Sequence, residues 1–85
     1  MTFKIETKSE GQRTTIRLIG QFNSEHIEEL KAEMKGRESL IALDLDEVSL
    51  VDVGVVRFLG ACEGKGTRVV NCSPYIREWI SRERR

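Results

Sequence analysis

Two aspartates set two residues apart at the end of an apolar stretch are the first residues in this chain whose types and spacing suit chemistry. Asp44-Leu45-Asp46-Glu47-Val48 follows Leu40-Ile41-Ala42-Leu43. A D-x-D pair at a strand end lets Mg²⁺-dependent phosphatases set a nucleophilic carboxylate beside an acid/base carboxylate. That chemistry also needs a lysine and a second acidic pair on later strands. The last apolar stretch ends instead in Asn71-Cys72, and the chain is short for a complete fold of that kind. Asp44 is therefore read as ending a strand and Asp46 as starting a turn, with a Mg²⁺-dependent phosphatase kept as a third reading.

The other chemical signals reduce to structure. Gly60-Ala61-Cys62-Glu63-Gly64-Lys65-Gly66 is one residue short of a phosphate loop and carries Gly66 where a Mg²⁺-binding hydroxyl should stand. It also falls between a helix and a strand, where no helix amides aim at an anion. His26 is the single histidine and is expected on the surface of a Glu-rich first helical turn. Cys62 and Cys72 form no CxxC; Cys62 falls on an apolar stripe and reads as a small core residue. Asn71-Cys72-Ser73 matches a glycosylation acceptor only formally. Arg82-Glu83-Arg84-Arg85 reads as a solvated tail, and Trp79 as core. No catalytic residue, metal ligand or cofactor is expected.

The elements follow from periodicity. Phe3 to Lys8 alternates as a strand, Ser9 to Gln12 turns, and Thr14 to Phe22 is a β-branched second strand. Ser24 is expected to cap a helix that carries Ile27, Leu30 and Met34 on one face and stops at Gly36. Leu40 to Leu45 reads as a strand covered on both faces, and Asp46 to Ser49 as a loop. Asp52 should cap a helix from about Val53 to Glu63, burying Val55, Val56, Leu59 and Cys62 with Phe58 flanking. Thr67 to Cys72 is a short fourth strand. Ser73-Pro74 opens a third helix with Ile76, Trp79 and Ile80 inward and Arg77, Arg82, Arg84 and Arg85 mostly outward. The order β-β-α-β-α-β-α predicts an α/β fold: a four-stranded mixed sheet, its first strand antiparallel and the rest parallel, with three helices. Successive right-handed crossovers stack helices on one face, so the other face is expected to be a bare apolar surface for a partner.

Composition narrows the partners. The 85 residues hold 14 basic and 14 acidic side chains, a net charge of zero. A balanced chain lacks the basic excess that nucleic acid or an anionic membrane surface would attract. The balance hides a segregation. Residues 38–63 hold six acids against one base, and residues 64–85 six bases against two acids. If the two regions lie apart the protein is a dipole with an acidic end; if they touch they neutralise one another. Two cysteines make no disulfide scaffold, no apolar run reaches the length of a membrane span, and the N-terminus has no apolar signal region. A soluble cytoplasmic domain is expected.

Leu43 to Leu59, LDLDEVSLVDVGVVRFL, resembles the core of the STAS family, the sulphate-transporter and anti-sigma-factor-antagonist domains. Their usual pattern is an apolar strand followed by DLSxVxxxDSSGLxxL opening a helix. Asp44 to Val48 matches the strand end and loop, Asp52 the aspartate before the helix, and Val56 and Leu59 its first apolar positions. Ile16 to Phe22 is similar to the family's L.G.lD strand, and Val69 to Pro74 to the strand and helix start near its end. The likeness covers about residues 13–80.

That resemblance implies a non-catalytic, protein-binding regulator. Its partner would be a kinase-type anti-sigma factor or, alternatively, the ATPase of a membrane transport complex with this chain as accessory subunit. The implied binding surface is the loop from Asp46 to Asp52 and the helix start to Arg57, carried by Asp46, Glu47, Ser49, Asp52, Val53, Gly54 and Arg57. Two departures stand out. Val53 and Gly54 follow Asp52 where the family has a phosphorylatable serine, and Ser49, three residues before Asp52, is not given that role. Longer members add a strand and a helix after the third helix, so residues 1–85 read as a single domain without them. The bare edge of the fourth strand would then invite a homodimer.

Overall fold

The structure is a computed structural model that describes residues 3–84. Alternation at the start of the chain gives β1 (Phe3–Glu10) and β2 (Arg13–Phe22), paired antiparallel from Phe3↔Gly20 to Glu10↔Arg13. The connection is only Gly11-Gln12. Gly11 has φ +61° at the first turn position, the backbone that a two-residue hairpin of type II′ requires and glycine supplies. A turn this short lets β1 run two residues beyond the expected Lys8.

The chain continues through a 3-10 turn (Ser24–His26), α1 (Ile27–Met34), a second 3-10 turn (Glu38–Leu40), β3 (Ile41–Val51), α2 (Val53–Gly64), β4 (Arg68–Val70) and α3 (Pro74–Glu83). The sheet order is β1-β2-β3-β4, with β2, β3 and β4 parallel. This is the expected mixed sheet with three helices.

One face of the sheet is the core. Thr14, Ile16 and Leu18 of β2 and Ile41, Leu43 and Leu45 of β3 are buried, and they meet Leu30 and Met34 of α1, the Val55-Val56-Leu59-Cys62 stripe of α2, and Ile76 and Ile80 of α3. Each fully buried aliphatic side chain of this kind contributes about 1.5–3 kcal/mol, so the three helices are held chiefly by this layer. Gly60 leaves room for the Arg84 side chain just after α3: a β-carbon there would lie 3.2 Å from its Cγ. Ser73 caps α3 by accepting from the Ile76 N–H, with Pro74 in its first turn.

Five expectations are corrected. The face opposite the helices is bare but not apolar: Lys4, Glu6, Lys8, Thr15 and Arg17 line it, with Asp44 half-buried among them. Asp46 to Ser49 is strand, not loop. β2 is ten residues long, and its C-terminal half needs a partner; residues 47–51 supply it through Ile19↔Glu47, Gly20↔Val48, Gln21↔Leu50 and Phe22↔Val51. β4 covers only Ala42 to Asp44 on the other side, so the rest of β3 is a solvated edge that tolerates polar residues. β4 itself is three residues rather than six because Asn71 takes φ +55°, left-handed backbone that breaks a strand and that asparagine accepts. Asn23, not Ser24, caps the first helical turn, its side chain accepting from the Glu25 N–H. His26 is half-buried: its Nδ1 accepts from the Asn23 N–H and its ring stacks on Phe3 at 4.1 Å. Arg85 lies outside the described residues.

The acidic middle and basic end do touch. Glu63 of α2 accepts from Arg77 of α3 at 2.9 Å and pairs with Arg84 at 3.7 Å, and Arg57 pairs with Glu83 at 2.9 Å. Of these, only Glu63 is an acid of the middle matched by bases of the end; Arg57–Glu83 is a pair of the reverse sign, so the two charge segments touch along the α2–α3 seam but cancel there only in part.

Candidate functional site

The end of β3 and the first turn of α2 form one continuous surface, and two irregularities shape it. Arg17 pairs with Asp44 but Ile19 with Glu47, so Leu45 and Asp46 together oppose Leu18; Gly20 pairs with Val48 but Gln21 with Leu50, so Ser49 has no partner. Bulges of this kind re-aim side chains and increase local twist. Two of the expected binding residues, Asp46 and Ser49, sit at these bulges, and both are exposed.

Asp52 follows with extended backbone and caps α2, its Oδ1 accepting from the Val55 N–H at 2.9 Å. The same carboxylate holds a residue from another element. Ser24 donates its backbone N–H to Oδ2 at 2.9 Å, and its hydroxyl lies 2.9 Å from both carboxylate oxygens. Partial burial pushes the Asp52 carboxyl up, but hydrogen bonds from Val55, Ser24 and Gly54 outweigh it and hold the group below its ordinary value. Asp52 thus ties the β2–α1 junction to the β3–α2 junction. Gly54 is part of this clasp, because a β-carbon there would collide with Ser24 Oγ.

The charges around the clasp are mostly spoken for. Glu47 pairs with Arg17 at 2.8 Å, Arg57 is drawn to Glu83, and Asp44 accepts from the Asp46 N–H and from Asn71. Among the described residues, Asp46 has no ion pair within reach. What the surface does expose is apolar: Leu50 is 57% and Val53 41% exposed, two of the four large apolar side chains left so open among the described residues. The expected acidic surface is therefore an apolar one with a single free carboxylate. Asp46, Glu47, Ser49, Asp52, Val53 and Gly54 all lie on this stretch, while Arg57 is turned toward α3.

Sequence reasoning missed two contributors. Leu50 falls within the stretch that reads as a loop, although a large apolar residue between Ser49 and Val51 at a strand end is a readable signal. Ser24 was assigned a local capping role, and its bond to Asp52 across 28 residues carries no local signature. The Asp44–Asp46 pair lies on a continuous strand, with Asp44 engaged by Asn71.

Among the described residues, no helix is long and apolar enough to cross a membrane. No protein-family model matches the chain, and no curated protein matches it. Solved structures do. The anti-sigma factor antagonist SpoIIAA in its unphosphorylated form superposes with a TM-score of 0.62 at 23% identity, over 94% of this chain and 82% of that one. A crystal structure of Mglu matches with a TM-score of 0.51 at 22% identity, over 75% of this chain and 18% of that one. The antiparallel hairpin, the parallel β3 and β4 and the three helices are thus arranged as in SpoIIAA, and the fold is the STAS fold.

Proposed function

We propose that this chain is a protein-binding regulatory domain that works like an anti-sigma factor antagonist. The observation that carries this reading is the exposure of Leu50 and Val53 on either side of the pinned Asp52. Apolar side chains held open on a rigid strand end and helix start supply the desolvated centre of an interface. The free carboxylate of Asp46 adds a charge for steering and orientation. The partner is a protein with an apolar groove and a basic rim, of the kind an anti-sigma kinase would offer an antagonist.

The reading carries no phosphoserine switch after Asp52. Val53 occupies that position, so the domain binds constitutively or is controlled elsewhere. Two exposed substitutions test it. Leu50→Glu and Val53→Glu leave the cap and the clasp in place and should each weaken binding to a purified kinase-type anti-sigma factor by about 2 kcal/mol or more. Unchanged binding in both variants, with the parent fold retained, overturns the proposed surface. Binding to a transporter ATPase in place of the kinase overturns the choice of partner and keeps the surface.

A further inference from the structure

β1 is an outer strand of the sheet, and its outer edge is unpaired among the described residues. It is eight residues long, against three in β4, so it has far more backbone to offer than the edge first expected to pair. In a two-residue hairpin the residues flanking the turn exchange hydrogen bonds, here Glu10 with Arg13. The even-numbered residues of β1 therefore point their N–H and C=O groups at β2. The odd-numbered residues, Phe3, Ile5, Thr7 and Ser9, point theirs outward. An open row of this length is a template for another strand.

The side chains on the helix-free face alternate in sign: Lys4, Glu6, Lys8, Glu10. Against an antiparallel copy of itself this pattern accepts some registers and rejects others. With Thr7 opposite Thr7, Lys4 meets Glu10 and Glu6 meets Lys8, twice each, and every charge is matched. A slip of two residues either way sets Glu6 against Glu6 or Lys8 against Lys8. Slips of four keep the signs but lose about half the overlap. In the favoured register the odd residues form the hydrogen-bonded pairs. The charged residues fall at the non-hydrogen-bonded positions, where side chains approach most closely. The present contacts along the strand, Lys4–Glu6 at 3.3 Å and Lys8–Glu10 at 3.8 Å, join exposed side chains and exchange readily for cross-strand ones.

We propose that the outer edge of β1 is a homodimerisation strand, pairing antiparallel with β1 of a second copy about Thr7. The two sheets then join into one, with both helix layers on the same face. The strand end and helix start around Asp52 take no part in the pairing, so this proposal stands or falls independently of the proposed function.

Sedimentation velocity across a concentration series tests it. The parent should show a reversible dimer that weakens as salt screens the pairs. Lys4→Glu/Lys8→Glu makes the edge all acidic, and Glu6→Lys/Glu10→Lys makes it all basic. Each alone should lose self-association by at least about tenfold, and an equimolar mixture should recover it as a heterodimer. For the register, Thr7→Cys should cross-link to itself on oxidation, while Ile5→Cys and Ser9→Cys should cross-link only when mixed. A parent that stays monomeric throughout, or an all-acidic variant that associates as tightly as the parent, overturns the dimer. Self-cross-linking of Ile5→Cys overturns the register.

Discussion

Ser24 and Asp52, 28 residues apart, are joined through the backbone N–H and the hydroxyl of the serine, both 2.9 Å from the carboxylate. The bond links the start of the 3-10 turn that leads into α1 to the start of α2. Removing the hydroxyl with Ser24→Ala should cost about 0.5–1.5 kcal/mol, since the site is exposed and the backbone bond survives. Asp52→Ala removes the α2 cap as well and should cost about 1–2 kcal/mol. Urea denaturation of the two variants measures both.

Gly54→Ala should reveal how tightly the clasp is packed. The new methyl displaces Ser24 Oγ, so the variant loses the hydroxyl's contacts and should be destabilised by about 1 kcal/mol. In a Ser24→Ala background nothing remains to displace. There the substitution should be neutral, or stabilising by up to about 1 kcal/mol through helix propensity. A double-mutant cycle reads this as a coupling energy between the two positions.

The clasp should also appear in the pH dependence of stability. Hydrogen bonding holds the folded Asp52 carboxyl below its ordinary 3.8. The unfolded state therefore binds its proton first as pH falls. The contribution is complete above the ordinary value and is lost as pH drops through the lower, folded one. The stability gap between the parent and Asp52→Asn should hold steady near neutrality and close only below about pH 4. A gap that closes at pH 5–6 would assign the dependence to another group.

The two thiols should differ in reactivity. Burial pushes Cys62 up to about 11 and raises Cys72 as well, but Cys62 is buried and Cys72 only half-buried. The thiolate is the reactive form, so Cys62 should resist an aromatic disulfide reagent at neutral pH until the domain unfolds. Half-buried Cys72 should react first, slowly. Equal rates for both in the folded protein would contradict the packing of α2.

The parts of the fold that were legible in the sequence carry local rules. Asp52 and Ser73 each precede an apolar helical stripe and cap it, and the alternation in β1 and β2 gives strands on sight. The failures occur where a distant element decides. Asp46 to Ser49 is polar enough to read as a loop, yet the second edge of β2's C-terminal half, the one away from β1, draws it into the sheet. Asn23 and Ser24 are both good caps, and the sequence does not say that Asp52 will claim the second. The bare face was misjudged for another reason. Lys4, Glu6, Lys8 and Arg17 already alternate with the apolar residues, so its polarity could have been read from the same pattern that identified the strands.

The last strand and helix have a consequence for how the molecule opens. β4 is tied to the sheet by three register pairs, Ala42↔Arg68, Leu43↔Val69 and Asp44↔Val70. α3 adds two buried anchors, Ile76 and Ile80, and a seam of partly exposed ion pairs to α2. β2, by contrast, is paired along both sides. A unit with so few buried contacts opens locally at a fraction of the global free energy. Amide hydrogens of Arg68 to Val70 should exchange with solvent well before those of Ile16 and Leu18. When they do, the second edge of β3 is uncovered from Ala42 to Asp44, while the surface around Leu50 and Val53 stays built.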